Sequence, residues 1–263
     1  MICEGRRQTY VYMSGRLYRI SCCREYSTDF HKNFVRFPCL CNTCILTGRQ
    51  PSNTITDMEK EIRIPSGPLS LEGRFEKASD EKAVVVTHPH PLYGGNMDNP
   101  VVTAATEAFR EKGFSTLRFN FRGTGQSTGM FDEGRGEQTD TGAALSFLRE
   151  QGMTRVSLAG YSFGAWVNAK GLAENLLETE EHIMISPPVA FMSFDIISTD
   201  LPVSLIITGS RDPIAPPDNI RQYLEQWNPA SRFEIIDGCD HFYAGYTGPL
   251  KRIITDYLEQ NNR

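Results

Sequence analysis

The sequence predicts an α/β protein with a mostly parallel central sheet, an N-terminal antiparallel hairpin and helices on both faces. Three observations predict it. From about residue 60 onward, short apolar runs alternate with longer amphipathic ones, the order expected of repeated strand-helix units. The run Lys82-Ala83-Val84-Val85-Val86-Thr87 is β-branched and apolar at consecutive positions, as in a strand buried on both faces. Finally, Gly160-Tyr161-Ser162-Phe163-Gly164 stands where one apolar run, 156–159, meets a helix-like run that begins at Ala165.

The elements follow in order. Residues 61–65 and 69–75 alternate in polarity and are parted by Ser66-Gly67-Pro68, which reads as the hairpin. After the 82–87 strand, His88-Pro89-His90-Pro91-Leu92-Tyr93-Gly94-Gly95 is a loop, because its prolines and glycines cannot sustain a helix. A helix is expected over 101–112, closed by Gly113, and a strand over 114–121. The next loop spaces Gly123, Gly125 and Gly129 one residue wider than the dinucleotide-binding pattern, and no helix opens directly after it, so no cofactor is expected there. Helix is expected over 137–151, strand over 155–160, and then a helix from the elbow to about Leu177. Strands at 183–185 and 203–208, a helix at 217–227, a strand at 232–236 and a last helix at 250–260 complete the series.

Composition narrows the class. With 40% apolar and 22% charged residues, the 263-residue chain reads as a soluble globular protein with one sizeable core. Residues 1–57 carry a formal charge of +4 and residues 58–263 a charge of -9. An acidic main domain is a poor match for the phosphate backbone of nucleic acid. No apolar run is long enough for a membrane span.

The first 57 residues show no sustained periodicity and read as a disordered appendage: a tail, a transit peptide, or sequence upstream of a start at Met58. Six of the seven cysteines fall here, at 3, 22, 23, 39, 41 and 44, so a disulfide framework through the fold is not expected. That points to a reducing compartment: the cytoplasm, or an organelle if the segment is a transit peptide. His31 with Cys39, Cys41 and Cys44 could supply four zinc ligands, but only the last two cysteines have a usual clip spacing, and no metal is expected.

The elbow carries the chemistry. A serine hydroxyl is a weak nucleophile and needs a base to take its proton and a carboxylate to orient that base. In a parallel sheet, residues just past the strand ends gather along one edge. Ser162, Asp212 (directly after the 203–208 strand) and His241 (after the 232–236 strand) all satisfy this, and their chain order is nucleophile, acid, histidine. Ser162 is therefore expected to be the nucleophile, His241 the base and then acid, and Asp212 the residue that holds the imidazole. Asp237 and Asp240 lie closer to His241 in sequence but are less suitably placed. Asp140 and Glu137 read as helix support, and His182 as an exposed histidine at a strand boundary.

Residues 58–263 resemble the α/β-hydrolase superfamily. Within it, the 88–100 segment is similar to small cap-less esterases related to the dienelactone-hydrolase group, joined by Phe121-Arg122-Gly123-Thr124-Gly125-Gln126-Ser127, Gly209-Ser210-Arg211-Asp212 and Gly238-Cys239-Asp240-His241-Phe242. The dienelactone type carries cysteine at the nucleophile position, whereas this chain has Ser162. The resemblance implies an oxyanion hole from the backbone N–H of Phe163 and of either His90 or Leu92, since Pro89 and Pro91 have none to donate. It implies His88 and His90 side chains that shape the loop. It also implies an open site, because the connection between the 183–185 and 203–208 strands is too short for a cap domain. Ser186, Pro187, Pro188, Phe191, Met192 and Phe194 in that connection either line an acyl pocket or pack on the core. The expected activity is hydrolysis of carboxylic esters or thioesters of small molecules. A peptidase or amidase on the same residues, and a non-catalytic binding protein, are the alternatives.

Overall fold

The computed structural model describes residues 8–13, 16–21, 59–195 and 201–261. The chain divides into two compact units, Met1–Thr56 and Asp57–Arg263. In the first, β1 (Gln8–Met13) and β2 (Arg16–Ser21) pair antiparallel, from Gln8 opposite Ser21 to Met13 opposite Arg16. Both strands fall within the 1–57 segment, whose sequence shows no sustained periodicity. Thr9, Tyr10, Val11 and Tyr12 are strand-favouring types, but six-residue runs are too short for a secure period. His31, Met58 and every cysteine except Cys239 lie outside the described residues.

The second unit is built on an eight-stranded sheet. Its strands are β3 (Lys60–Ser66), β4 (Leu69–Glu76), β5 (Lys82–Thr87), β6 (Ser115–Phe119), β7 (Arg155–Tyr161), β8 (His182–Ile185), β9 (Val203–Gly209) and β10 (Arg232–Ile236). Across the sheet the order is β10-β9-β8-β7-β5-β6-β4-β3. All neighbours from β10 to β6 run parallel, and the β3-β4 hairpin joins β6 antiparallel.

The helices are α1 (Pro100–Glu111), α2 (Arg135–Glu150), α3 (Phe163–Ala173), α4 (Pro217–Trp227) and α5 (Thr247–Asn261). The alternation of β5 shows how they are distributed. Val84 and Val86 enter a core layer with residues of α1 and α5, while Ala83 and Val85 enter the opposite layer with residues of α2, α3 and α4. Both faces of the strand are thus dry, which is why its sequence is apolar at consecutive positions. Most elements lie within two residues of expectation. The main exception is α3, which ends at Ala173 rather than near Leu177, because Asn175 turns left-handed (φ 55°) and breaks the ladder.

Three polar residues are more deeply engaged than their sequence positions indicate. Glu137 is buried and accepts from the Asp132 and Gly134 N–H groups at 2.9 and 2.8 Å, closing the start of α2. Asp140 is buried and takes a forked ion pair from Arg122 together with the Ser66 hydroxyl, so one carboxylate ties α2 to the glycine-rich loop and the hairpin. His182 is not an exposed boundary residue. It is the first residue of β8, fully buried, and neither ring nitrogen has a hydrogen-bond partner among the described residues. Its place between Leu158 and Val203 in the ladder puts it inside the sheet.

Burial pushes the His182 imidazole down to about 3, so the ring stays neutral in the folded protein at any ordinary pH. The unfolded chain takes up a proton near 6.5 that the folded chain does not, so stability present above that pH is lost as pH falls toward 3. Between pH 7 and 5 this one residue should remove about 2 kcal/mol. Urea unfolding at the two pH values should show that loss, and His182→Leu should lessen it by a similar amount.

Candidate active site

Strand β7 ends at Tyr161 and α3 begins at Phe163, leaving Ser162 alone to make the reversal. Its backbone sits at φ 53°, ψ -116°, a conformation that costs a non-glycine residue about 1–3 kcal/mol. The Ser162 N–H is tied to the Ile185 carbonyl at 2.9 Å, so the adjacent strand holds the turn in place. The flanking glycines are required by contact. A Cβ on Gly160 would lie 2.6 Å from the Ala165 backbone, and one on Gly164 would lie 2.7 Å from the Thr87 carbonyl oxygen and 2.8 Å from that of His88.

The turn places the Ser162 hydroxyl 2.9 Å from Nε2 of His241. On the other side of the ring, Nδ1 lies 3.0 and 2.9 Å from the two carboxylate oxygens of Asp212. A carboxylate only accepts, so Nδ1 carries the proton and Nε2 presents its lone pair to the serine. All three side chains are buried or nearly so, with Ser162 8% exposed. Asp212 is oriented in turn: its Oδ1 accepts from the Ile214 and Ala215 N–H groups at 2.9 and 2.8 Å. Burial alone would raise the Asp212 carboxyl, but the hydrogen bond and charge of His241, with the Ala215 N–H, outweigh it and hold the group below its usual range.

The loops that carry Asp212 and His241 are clamped to each other. The Arg211 N–H bonds to the Cys239 carbonyl at 2.9 Å, and a Cβ on Gly209 would lie 2.2 Å from that same oxygen. Tyr161, next to the serine, donates its hydroxyl to the His241 carbonyl at 2.6 Å. The two competing carboxylates are engaged elsewhere: Asp237 accepts from the Ser210 hydroxyl at 3.1 Å, and Asp240 from the Phe242 N–H at 3.0 Å.

Beyond β5 the histidine-proline loop lies against the elbow. His88 is fully buried. Its Nδ1–H donates to the Pro89 carbonyl at 2.7 Å and Nε2 accepts from the Phe121 N–H at 3.0 Å, so the ring welds the loops after β5 and β6. Burial lowers it to about 4, and the Pro89 bond only partly offsets this, so it remains an acceptor. The His90 ring accepts from the Leu92 N–H at 3.2 Å and packs 4.7 Å from Phe163 and 4.9 Å from Phe131, centroid to centroid. Of the two donors left open by the sequence, Leu92 is therefore already engaged.

The connection after β8 divides between two roles. Ser186 and Phe194 are buried, Phe194 against Trp227 with ring centroids 5.0 Å apart, whereas Phe191 is exposed. Phe194 is thus a core residue rather than a pocket wall. Apart from Leu176, which follows α3, the exposed large apolar side chains share one topological place: Leu92 and Tyr93 follow β5, Met130 follows β6, Phe191 follows β8 and Phe242 follows β10. These five stand on loops that leave the edge occupied by Ser162. Among the described residues, no group of three or more His, Cys, Asp or Glu side chains is placed to hold a metal, and no helix is long and apolar enough to cross a membrane.

A lone serine on a strained strand-to-helix turn, at the C-terminal edge of a parallel sheet, marks the class of α/β proteins with a nucleophile elbow. No family model matches the chain. It is 37% identical over 200 residues to an uncharacterised protein, RP471, of Rickettsia prowazekii, covering 72% of this chain and 84% of that one. Among solved structures, a serine hydrolase homologue from Coxiella burnetii is 30% identical with a TM-score of 0.69, covering 76% of this chain and 98% of that one. A serine hydrolase without a lid from Xanthomonas campestris, XC6422, is 31% identical at the same TM-score of 0.69, covering 77% and 94%. The chain belongs to the α/β-hydrolase superfamily.

The contacts at Gly164 generate a test. Because a Cβ there meets backbone atoms of the neighbouring loop, Gly164→Ala should destabilise the protein by about 1–3 kcal/mol, measurable by chemical denaturation. A surface glycine with open space, such as Gly248, should tolerate the same change with little loss.

Proposed function

We propose that the protein is a serine hydrolase that cleaves carboxylic esters through an acyl-enzyme, with Ser162 as nucleophile, His241 as general base and then acid, and Asp212 as its orienting carboxylate. The observation that carries this reading is the unbroken chain of short contacts from Ser162 Oγ through the His241 ring to Asp212. In the first step Ser162 Oγ attacks the ester carbonyl while its proton passes to Nε2. The carbonyl oxygen becomes an oxyanion at the start of α3, where the Phe163 N–H and the helix dipole favour negative charge. The second donor in this reading is the His90 N–H, since the Leu92 N–H is held by the His90 ring.

Collapse of the intermediate expels the alcohol, which takes the proton from Nε2 and leaves Ser162 acylated. Water then repeats the sequence: His241 takes its proton, the hydroxide adds to the acyl carbon, and the carboxylic acid leaves as Ser162 regains its proton. Asp212 stays ionised throughout, in keeping with its lowered proton affinity, and stabilises the imidazolium.

The exposed apolar residues on the same edge favour an apolar ester. Leu92, Tyr93, Met130 and Phe242 offer a rim on which an acyl or alcohol chain can lie without a closed pocket. Full burial of a methylene is worth about 0.8 kcal/mol, and an open rim covers only one side, so a gain of about twofold per methylene is expected in kcat/KM.

An alkyl fluorophosphonate should label the wild-type protein and leave Ser162→Ala unlabelled; absence of wild-type labelling, or equal labelling of the variant, rejects the reading. With p-nitrophenyl esters from acetate to hexanoate, kcat/KM should rise with chain length. Tyr93→Ser should depress the hexanoate value several-fold more than the acetate value. Efficient cleavage of peptides with little ester turnover would make the protein a peptidase instead.

A further inference from the structure

Among the described residues, six large apolar side chains are exposed, and they are spread unevenly over the fold: Leu176 follows α3, while Leu92, Tyr93, Met130, Phe191 and Phe242 leave the sheet edge that holds Ser162. Single exposed apolar residues are ordinary on any protein surface. Five gathered on the loops after β5, β6, β8 and β10, each between 69% and 88% exposed, are a patch that needs a physical reason.

Ring contacts tie this patch to the serine from two sides. On one side Tyr93 packs 4.8 Å from His90, centroid to centroid, and His90 lies 4.7 Å from Phe163, the residue that follows Ser162. His90 also lies 4.9 Å from Phe131, the chain neighbour of Met130, so the loops after β5 and β6 form one aromatic flank. On the other side Phe242 stands 5.9 Å from the His241 ring, whose Nε2 is 2.9 Å from the Ser162 hydroxyl. The serine therefore opens between two apolar flanks.

Charge selects what can lie across them. The described loops that leave this edge, residues 88–99, 120–134, 186–195, 210–216 and 237–246, carry seven Asp or Glu, two Arg and no Lys, a formal charge of -5 with histidine neutral. One of the two, Arg122, is already forked onto Asp140. Surfaces that bind anionic phospholipid gather Lys and Arg around their apolar residues. This edge has the opposite sign, so it repels an anionic surface and accepts an uncharged one. A protein partner seated on both flanks would cover Ser162 between them, whereas a fluid phase conforms to the edge and delivers its own molecules to the serine. Tyr93, an apolar ring ending in a hydroxyl, is of the type that settles where hydrocarbon meets water.

Resting on the serine-hydrolase reading, we propose that the Ser162 edge is a docking surface for an uncharged lipid phase, an assembly of neutral glyceride esters from which the site draws its substrate. Leu92, Tyr93, Met130 and Phe242 enter the phase, and the carboxylates on the same loops stay in water and hold anionic surfaces off.

Flotation of the Ser162→Ala protein on a triolein emulsion coated with phosphatidylcholine tests the surface without turnover. The protein should rise with the droplets. Adding Tyr93→Ser and Phe242→Ser, one from each flank, should lower the partition coefficient by about tenfold or more. Both side chains are exposed, so circular dichroism should show an unchanged fold. Leu176→Ser, which removes an exposed apolar side chain away from this edge, should leave partitioning unchanged. Replacing much of the phosphatidylcholine coat by phosphatidylserine should weaken it. Failure to float, an equal loss in Leu176→Ser, or tighter binding to the phosphatidylserine-coated droplets overturns the proposal. So does a dimer in sedimentation equilibrium that the paired substitutions dissociate, since a second copy of the chain would then be the occupant. The flotation needs no catalysis: a wild-type protein that fails to label with fluorophosphonate rejects the hydrolase reading and leaves the docking surface standing, and a labelled protein that does not float rejects the docking surface alone.

Discussion

The turn at Ser162 depends on a spatial constraint: strand β7 and helix α3 approach each other, and the loop after β5, more closely than side chains would allow. With a Cβ excluded at Gly160 and Gly164, the serine backbone is forced into a strained left-handed conformation and its hydroxyl is lifted clear of the sheet. The strain is borne by the core beneath. β7 lies between β5 and β8, buried along almost its whole length, and its register is fixed on both sides. A one-residue slip would turn the serine away from its neighbours.

From that fixed point the remaining groups are brought in by three separate joins. His88 fastens the loop after β5 to the one after β6. The Arg211 to Cys239 bond fastens the Asp212 loop to the His241 loop, and the Tyr161 hydroxyl fastens the His241 loop to β7. The His88–Phe121 and Tyr161–His241 bonds are buried, and losing either leaves an unsatisfied group as well as a missing contact. The site is therefore a consequence of packing between loops that are far apart in sequence, with no single loop containing it.

What could be read from the sequence follows this division. The 217–227 helix and the 232–236 strand fall on the residues where they were expected, because proline, periodicity and turn residues are local signals. Ser162, Asp212 and His241 were legible because each stands just past a strand end, which is a position in the chain as well as in space. His182 was misread because the four-residue β8 is too short to show a period, so nothing local distinguishes a boundary from an interior. That the Leu92 N–H is held by the His90 ring could be seen only in the fold.

The sheet order separates Ser162 from His241 by local stability. Ser162 rises from an interior strand, whereas His241 hangs from β10, the outermost strand, four of whose five residues are only partly buried. Openings of a protein begin at such edges and reach the centre last. If β10 detaches, Ser162 stays in place without the His241 ring beside it, and reannealing of one strand restores the contact. The Ser162–His241 contact would then be lost reversibly before global unfolding, its persistence governed by the adhesion of a five-residue strand more than by the size of the core.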